Sequence, residues 1–314
     1  MGYDATNHVD KSFSKEKLVE FIKLLGFEGR GEWFHFFERD EYKYLYGVGL
    51  HLSSTETEWL VHTRTPIYCS DDDLKYQNYV IKKIRQFFGG YFVSDNGKNR
   101  YFSVDNVETT AAQRGCYAAH FRLSDQLGKI AFLVNNYDEP ENVRDVFKMS
   151  GLASPSTLLS NIATTYISSI IESYFRNLYV ALLAYSPKKD KIISNARIVS
   201  NDYVDIAEGK ISVEEAVALS MSFQNIVKID SYFKALDNRI SIYGALSKPY
   251  RRRKETLFDT VNRVLEHRHG MVHRMGVDIS YSKEDVLRDI ESVKVALNRA
   301  YEHICDVYGW GTEC

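Results

Sequence analysis

The chain has 314 residues, 44% of them hydrophobic and 26% charged, with a formal net charge of -2. That length holds two ordinary domains and that composition is globular. The near-zero net charge excludes a globally basic nucleic-acid binder, so any RNA site must be a local patch.

The N-terminal stretch MGYDATNHVDKSF lacks the basic-then-apolar order of a secretion signal, and no run reads as a membrane-spanning helix. A cytoplasmic protein without a membrane partner is expected. Cys69, Cys116, Cys305 and Cys314 show no CxxC spacing, which points to reduced thiols rather than disulfides or a zinc knuckle.

Residues 1–150 are expected to form one α+β domain. Leu18, Phe21, Ile22, Leu24 and Leu25 give a short amphipathic helix over 15–25 that Gly26 can end. Segments 33–37, 42–52 and 58–68 are aromatic and β-rich, with Pro66 near the end of the third. Asp71, Asp72 and Asp73 suit the positive end of a helix dipole. That helix carries Leu74, Val80, Ile81, Ile84, Phe87 and Phe88 and stops at Gly89 and Gly90. Segments 91–93 and 101–104 are expected to pair around Asp95, Asn96 and Gly97, and 129–135 to add another strand. This half contains no P-loop, Gly-rich dinucleotide turn or serine nucleophile elbow. Sensing, substrate docking and inhibition stay open as its role.

Near 150–156 small residues and Pro155 break the pattern, and a serine or threonine can cap the helix that follows. Residues 151–314 are expected to be all-α. Leu159, Ile162, Tyr166, Ile170, Tyr174 and Leu178 form one stripe; Ile167, Ile171, Phe175, Tyr179 and Leu182 form a second beside it. An apolar arc that wide marks a central bundle helix. Further helices are expected over 213–219, 226–242, 256–265 and 282–304.

The chemistry concentrates at 266–276, EHRHGMVHRMG, between the last two predicted helices. It offers Arg268, His269 and His273, and the central helix offers Glu172 and Arg176 four residues apart. This arrangement resembles the HEPN superfamily, whose motif is an arginine, usually followed by a polar residue, and a histidine after four to six positions. The RiboL-PSP-like and abortive-infection branches are the most similar, since their first long helix often carries an acidic and a basic residue four apart. The resemblance covers about residues 156–308; no family is recognised for 1–150. It implies a HEPN-like helical bundle, a metal-independent endoribonuclease without cofactors, and a homodimer whose two motifs share one cleft. It implies RNA as partner, and a toxin or anti-phage effector in which residues 1–150 receive a phage-derived or regulatory trigger. The catalytic set would be Arg268, His273, His269, Glu172 and Arg176.

The bare spacing is unspecific, because Arg30–His35, Arg114–His120 and Arg263–His269 match it too. Only Arg268–His273 sits between two predicted bundle helices with Glu172 and Arg176 upstream. The chemistry agrees with the resemblance. Cleavage of RNA by its own 2′-hydroxyl needs proton transfer near neutral pH, which histidine supplies, and positive charge on the phosphorane, which arginine supplies. Five residues along a regular helix turn about 140°, so Arg268 and His273 share a cleft only if Gly270, which costs a helix about 1 kcal/mol, breaks it.

Plainer readings stand beside this one. Arg268 and His273 fit a solvated helix end, and Glu172 and Arg176 fit a surface i,i+4 pair. His269 and His273 can pair on a metal, but a third ligand is missing. The run Arg251, Arg252, Arg253 and Lys254 is a solvated face or an RNA-phosphate patch, with Tyr250 beside it able to stack on a base. A non-catalytic RNA-binding or dimerisation HEPN module, and a nucleotide-regulated partner, are the alternative functions.

Overall fold

The structure is a computed structural model describing residues 2–38, 40–105, 108–150, 152–250, 254–274 and 276–312, the side chains of Asp40, Lys148, Val272, His273 and Arg274 excepted. The chain divides into two compact units, Met1–Arg114 and Gly115–Glu313. Composition alone puts the break later, at 150–156.

The first unit is a seven-stranded antiparallel sheet with two helices. In chain order it runs β1 (Gly2–Asp10), α1 (Lys15–Leu24), β2 (Glu28–Arg30), β3 (Trp33–Phe36), β4 (Val48–Ser54), β5 (Glu58–Pro66), α2 (Asp71–Phe88), β6 (Tyr91–Ser94) and β7 (Gly97–Lys98). In space the order is β2-β3-β4-β5-β1-β6-β7. Alternation decides the buried face: Val48, Leu50 and Leu52 of β4 point inward with Phe34, Phe36 and Val61, against Leu18 and Ile22 of α1 and Val80, Ile84 and Phe88 of α2.

A capping box between Ser70 and Asp73 starts α2. The same Asp73 carboxylate accepts the backbone N–H groups of Leu45, Tyr46 and Gly47 at 3.2, 3.2 and 2.7 Å, pinning the approach to β4 onto α2. Gly47 has φ +71°, and a Cβ there would run into the Phe36 carbonyl, so glycine lets β4 begin close beside β3.

Two strand expectations fail. Residues 101–104 are irregular, because the turn at Asp95 and Asn96 is tight and the return strand follows at once, with Val93 opposite Lys98 and Ser94 opposite Gly97. Asn99, at φ +58°, ends the ladder. Residues 129–135 lie in α3 (Ala111–Asn136). The buried positions Cys116, Ala119, Leu123, Leu127, Ile130 and Val134 step by three and four. A short apolar run read without its upstream partners looks like a strand.

The second unit is helical. After α3 come α4 (Glu141–Ser150), α5 (Pro155–Ala184), α6 (Lys189–Ser194), α7 (Ser200–Ala207), α8 (Val213–Leu219), α9 (Ile226–Leu236), α10 (Ile242–Ser247), α11 (Leu257–Arg274) and α12 (Lys283–Tyr308). Ser154 caps α5 with Pro155 in its first turn. The C-terminal half of α5 is buried, from Ile167 to Leu183 on a wide arc, but Ile162 and Tyr166 of the expected stripe are exposed. The helix expected over 226–242 is two, parted where Asp237 turns extended and its carboxylate accepts the Arg239 N–H at 3.0 Å. No helix of the described residues is long and apolar enough to cross a membrane.

His120 of α3 stacks on Tyr301 of α12 at 4.2 Å between centroids. Burial pulls its imidazole down to about 4 from the ordinary 6.5. The unfolded chain therefore takes up the extra proton between those values, and stability, full above about pH 6.5, falls as pH drops toward 4, by about 3 kcal/mol in all. His120→Phe keeps a ring on Tyr301 and is expected to flatten the pH dependence of the melting temperature between pH 7 and 4. An unchanged slope would assign the acid sensitivity elsewhere.

Candidate functional site

Helix α11 carries residues 266–274 of the segment singled out in the sequence. Thr256 and Asp259 cap it reciprocally: the Asp259 N–H donates to the Thr256 hydroxyl at 3.1 Å, and the Asp259 carboxylate accepts the Thr256 N–H at 2.9 Å. The helix does not end at 265 as expected, nor break at Gly270, but continues to Arg274. Its buried residues Leu257, Val261, Val264 and Leu265 form an inward stripe, and Arg268 is the next position on that stripe. Helical period thus carries a guanidinium into the bundle.

It meets α5 there. The Ser168 hydroxyl donates to the Val264 carbonyl at 3.1 Å. One turn further on both helices, Arg268 Nη1 lies 3.6 Å from Glu172 Oε1, the side chains 21% and 13% exposed. The segment between α8 and α9 closes the group: Gln224 Nε2 donates to Glu172 Oε2 at 3.4 Å, and the Arg176 guanidinium lies over the Phe223 ring at 5.9 Å. Both contacts to Glu172 are longer than the 2.7–2.9 Å of a tight charge-assisted bond. The Nε atoms of Arg268 and Arg176 are shielded from solvent and have no hydrogen-bond partner among the described residues. Two partly buried cations with unspent donors around one carboxylate can receive an anion with several oxygens.

The histidines separate. His267 Nε2 is 3.3 Å from Asn161 Oδ1, an atom that also accepts the Asp278 N–H at 3.0 Å, and its ring packs on Tyr281 at 4.5 Å. His269 is exposed. The His273 side chain lies outside the described residues, as do Arg251, Arg252 and Arg253. Lys254 is exposed ahead of α11, and Tyr250 lies under the Arg299 guanidinium at 5.3 Å. Among the described residues no group of three His, Cys, Asp or Glu side chains is placed to hold a metal ion.

No protein-family model, curated protein or solved structure matches this chain. The site is therefore read from its own geometry.

The competing Arg-to-His spacings lie away from the α5–α11 contact or are already engaged. Arg30 and His35 sit on β2 and β3. His120 belongs to the helical unit, not the sheet unit where composition puts it, and is partly buried there against Tyr301. Arg263 is engaged by Asp289 through two bonds of 2.8 Å. Gln224, Phe223 and Asn161 were not foreseen. Nothing in their local sequence marks them, since each meets the motif only through tertiary contact.

Proposed function

We propose that the chain is a metal-independent endoribonuclease of HEPN type, with Arg268 and His273 at its centre and Glu172, Arg176 and His269 around them. The observation that carries this reading is the Arg268–Glu172 contact: the motif arginine and the acidic residue of the central helix, far apart in sequence, meet at 3.6 Å with Arg176 one turn away. Arg268 and Arg176 grip the non-bridging phosphate oxygens and stabilise the phosphorane. Glu172 holds Arg268 in position. His273 moves the protons, with His269 as a second polar group. The 2′-oxygen forms a bond to phosphorus as its proton passes to the base. The P–O5′ bond breaks and the leaving oxygen takes a proton, giving a 2′,3′-cyclic phosphate and a 5′-hydroxyl.

The substrate is RNA with an unstacked, flexible loop, such as a tRNA anticodon loop, with Arg251, Arg252, Arg253 and Lys254 as its phosphate patch. A homodimer through the helical unit accords with Leu158, Ile162 and Tyr166, exposed one turn apart along α5. The protein acts in the cytoplasm as a toxin or anti-phage effector, and a phage-derived or regulatory trigger acts through the N-terminal part.

The test is cleavage of total tRNA in excess EDTA by wild type and His273→Ala, with product ends mapped. Wild type is expected to leave 2′,3′-cyclic phosphates and the variant to leave the RNA intact. Cleavage that stops with EDTA, or that His273→Ala retains, overturns the mechanism.

A further inference from the structure

The face of the sheet turned away from α1 and α2 carries a pocket of about 380 Å³, lined wholly by the Met1–Arg114 unit. That volume falls within the roughly 300–1,000 Å³ of small-ligand sites. Nothing in the reading of the helical unit uses it.

Strand register builds this pocket. Trp33 of β3 lies opposite His51 of β4, and His51 opposite His62 of β5. One row along, His35 lies opposite Gly49, and Gly49 opposite Arg64. Gly49 is the gap in the floor. Flanked across the strands by the His35 imidazole and the Arg64 guanidinium, it supplies no side chain between them, and the depression follows. Its backbone does not demand glycine, because a Cβ there would meet only the Arg64 carbonyl oxygen at 3.6 Å, an ordinary contact.

The walls present two kinds of chemistry. Trp33 is 69% exposed, and its indole stacks on the His51 ring at 4.1 Å and 29°. Together they form an aromatic ledge open to a flat partner. Arg64 and His62 share one anchor: His62 Nε2 donates to Asp4 Oδ1 at 3.0 Å, and Arg64 Nη1 lies 3.6 Å from the same oxygen. Among the described residues that long contact leaves most of the Arg64 donors unspent. Neither the Trp33 Nε1–H nor a ring nitrogen of His51 has a hydrogen-bond partner among the described residues. No carboxylate lines the pocket among the described residues, whereas Arg64 and three imidazoles do. A flat ring is recognised by the ledge and an anion by the guanidinium.

We propose that this pocket binds a free nucleotide, its base stacked on the Trp33–His51 ledge and its phosphate held by Arg64. Inorganic phosphate leaves the ledge unused, and a neutral aromatic leaves Arg64 unused; a nucleotide engages both within the volume available. The proposal does not rest on RNA cleavage by the helical unit.

The test is calorimetric titration of the full chain with the four ribonucleoside 5′-monophosphates, the matching nucleosides, inorganic phosphate and a short 2′-O-methyl oligoribonucleotide. At least one monophosphate is expected to bind saturably, and its nucleoside and inorganic phosphate each about 10-fold or more weaker. Trp33→Ala is expected to weaken binding about 10-fold, the scale of losing one stacking ring, and Arg64→Ala by a similar factor. Gly49→Val fills the floor at a position that accepts a Cβ, so it is expected to abolish binding while the melting temperature holds. The proposal is overturned if no monophosphate binds at millimolar concentration, or if folded Gly49→Val and Trp33→Ala bind like wild type. It is also overturned if the oligonucleotide binds and no monophosphate does, which would make the face a strand-docking surface.

Discussion

Arg268→Ala is expected to lower RNA cleavage by about 10²–10³-fold, the scale of removing one preorganised donor from a developing oxyanion, while the melting temperature moves by only a few degrees. The two effects separate because of how Arg268 is held. Its ionic contact to Glu172 is 3.6 Å long, and its Nε makes no protein hydrogen bond among the described residues. Breaking a tight buried pair costs about 3–5 kcal/mol, and a contact this long in a partly open cleft returns less. The carboxylate left behind keeps Gln224 at 3.4 Å. Arg268→Lys keeps the charge but loses the planar fork that meets two phosphate oxygens, so it is expected to fall between wild type and alanine in kcat. Glu172→Gln keeps the shape and removes the charge, which tests positioning: its loss is expected to be smaller than that of Arg268→Ala and to be partly restored by Asp at that position. If Arg268→Ala loses stability and activity in proportion, the pair is a packing device and the helical unit is a binding or dimerisation module.

What the sequence disclosed depended on how local the cause was. The acidic first turn of α2 and its stop at Gly89 and Gly90 act within a few residues, and that helix stands where its pattern predicts, whereas the β-rich run 42–52 is a strand only from Val48. The two missed strand assignments arose where the deciding partner was further off. The run at 129–135 looks extended until Leu123 and Leu127 extend its stripe by three and four, and 101–104 looks like a return strand until the tighter turn pairs Gly97 and Lys98 first. The same logic governs the site. Arg268 could be singled out from its motif, and the stripe Leu257, Val261, Val264 explains afterwards why it faces inward. Gln224 and Phe223 could not be, because their place beside Glu172 and Arg176 comes from the packing of α5 against the chain between α8 and α9. Nor could the pocket over Gly49, which exists only once three strands are in register.

Asp289→Ala is expected to lower the melting temperature by on the order of 10 °C, the larger of the stability effects. Asp289 of α12 is 1% exposed and accepts three bonds: from Arg263 Nη1 and Nη2 at 2.8 Å each and from the Tyr281 hydroxyl at 2.6 Å. The paired fork raises the Arg263 guanidinium above its ordinary value, the Asp289 bonds outweighing burial. Alanine strands both donors at once. Removing one partner of a buried pair costs about 3–5 kcal/mol. The value here belongs near the lower end, because Arg263 keeps Glu255 at 3.1 Å on its more open side. At about 2–4 °C per kcal/mol for a unit of this size, the shift follows. Asp289→Asn leaves acceptor oxygen for one donor and is expected to lose less. This carboxylate also matters to the cleft, since Arg263 and Arg268 lie on one helix and Asp289 ties that helix to α12. Well below its melting temperature the alanine variant is expected to keep cleavage within about 10-fold of wild type, because it touches no phosphate. A thermal melt followed by a rate at low temperature separates a helix held in place from a helix that takes part, and a variant that melts like wild type would show that the α11–α12 seam rests on its apolar contacts alone.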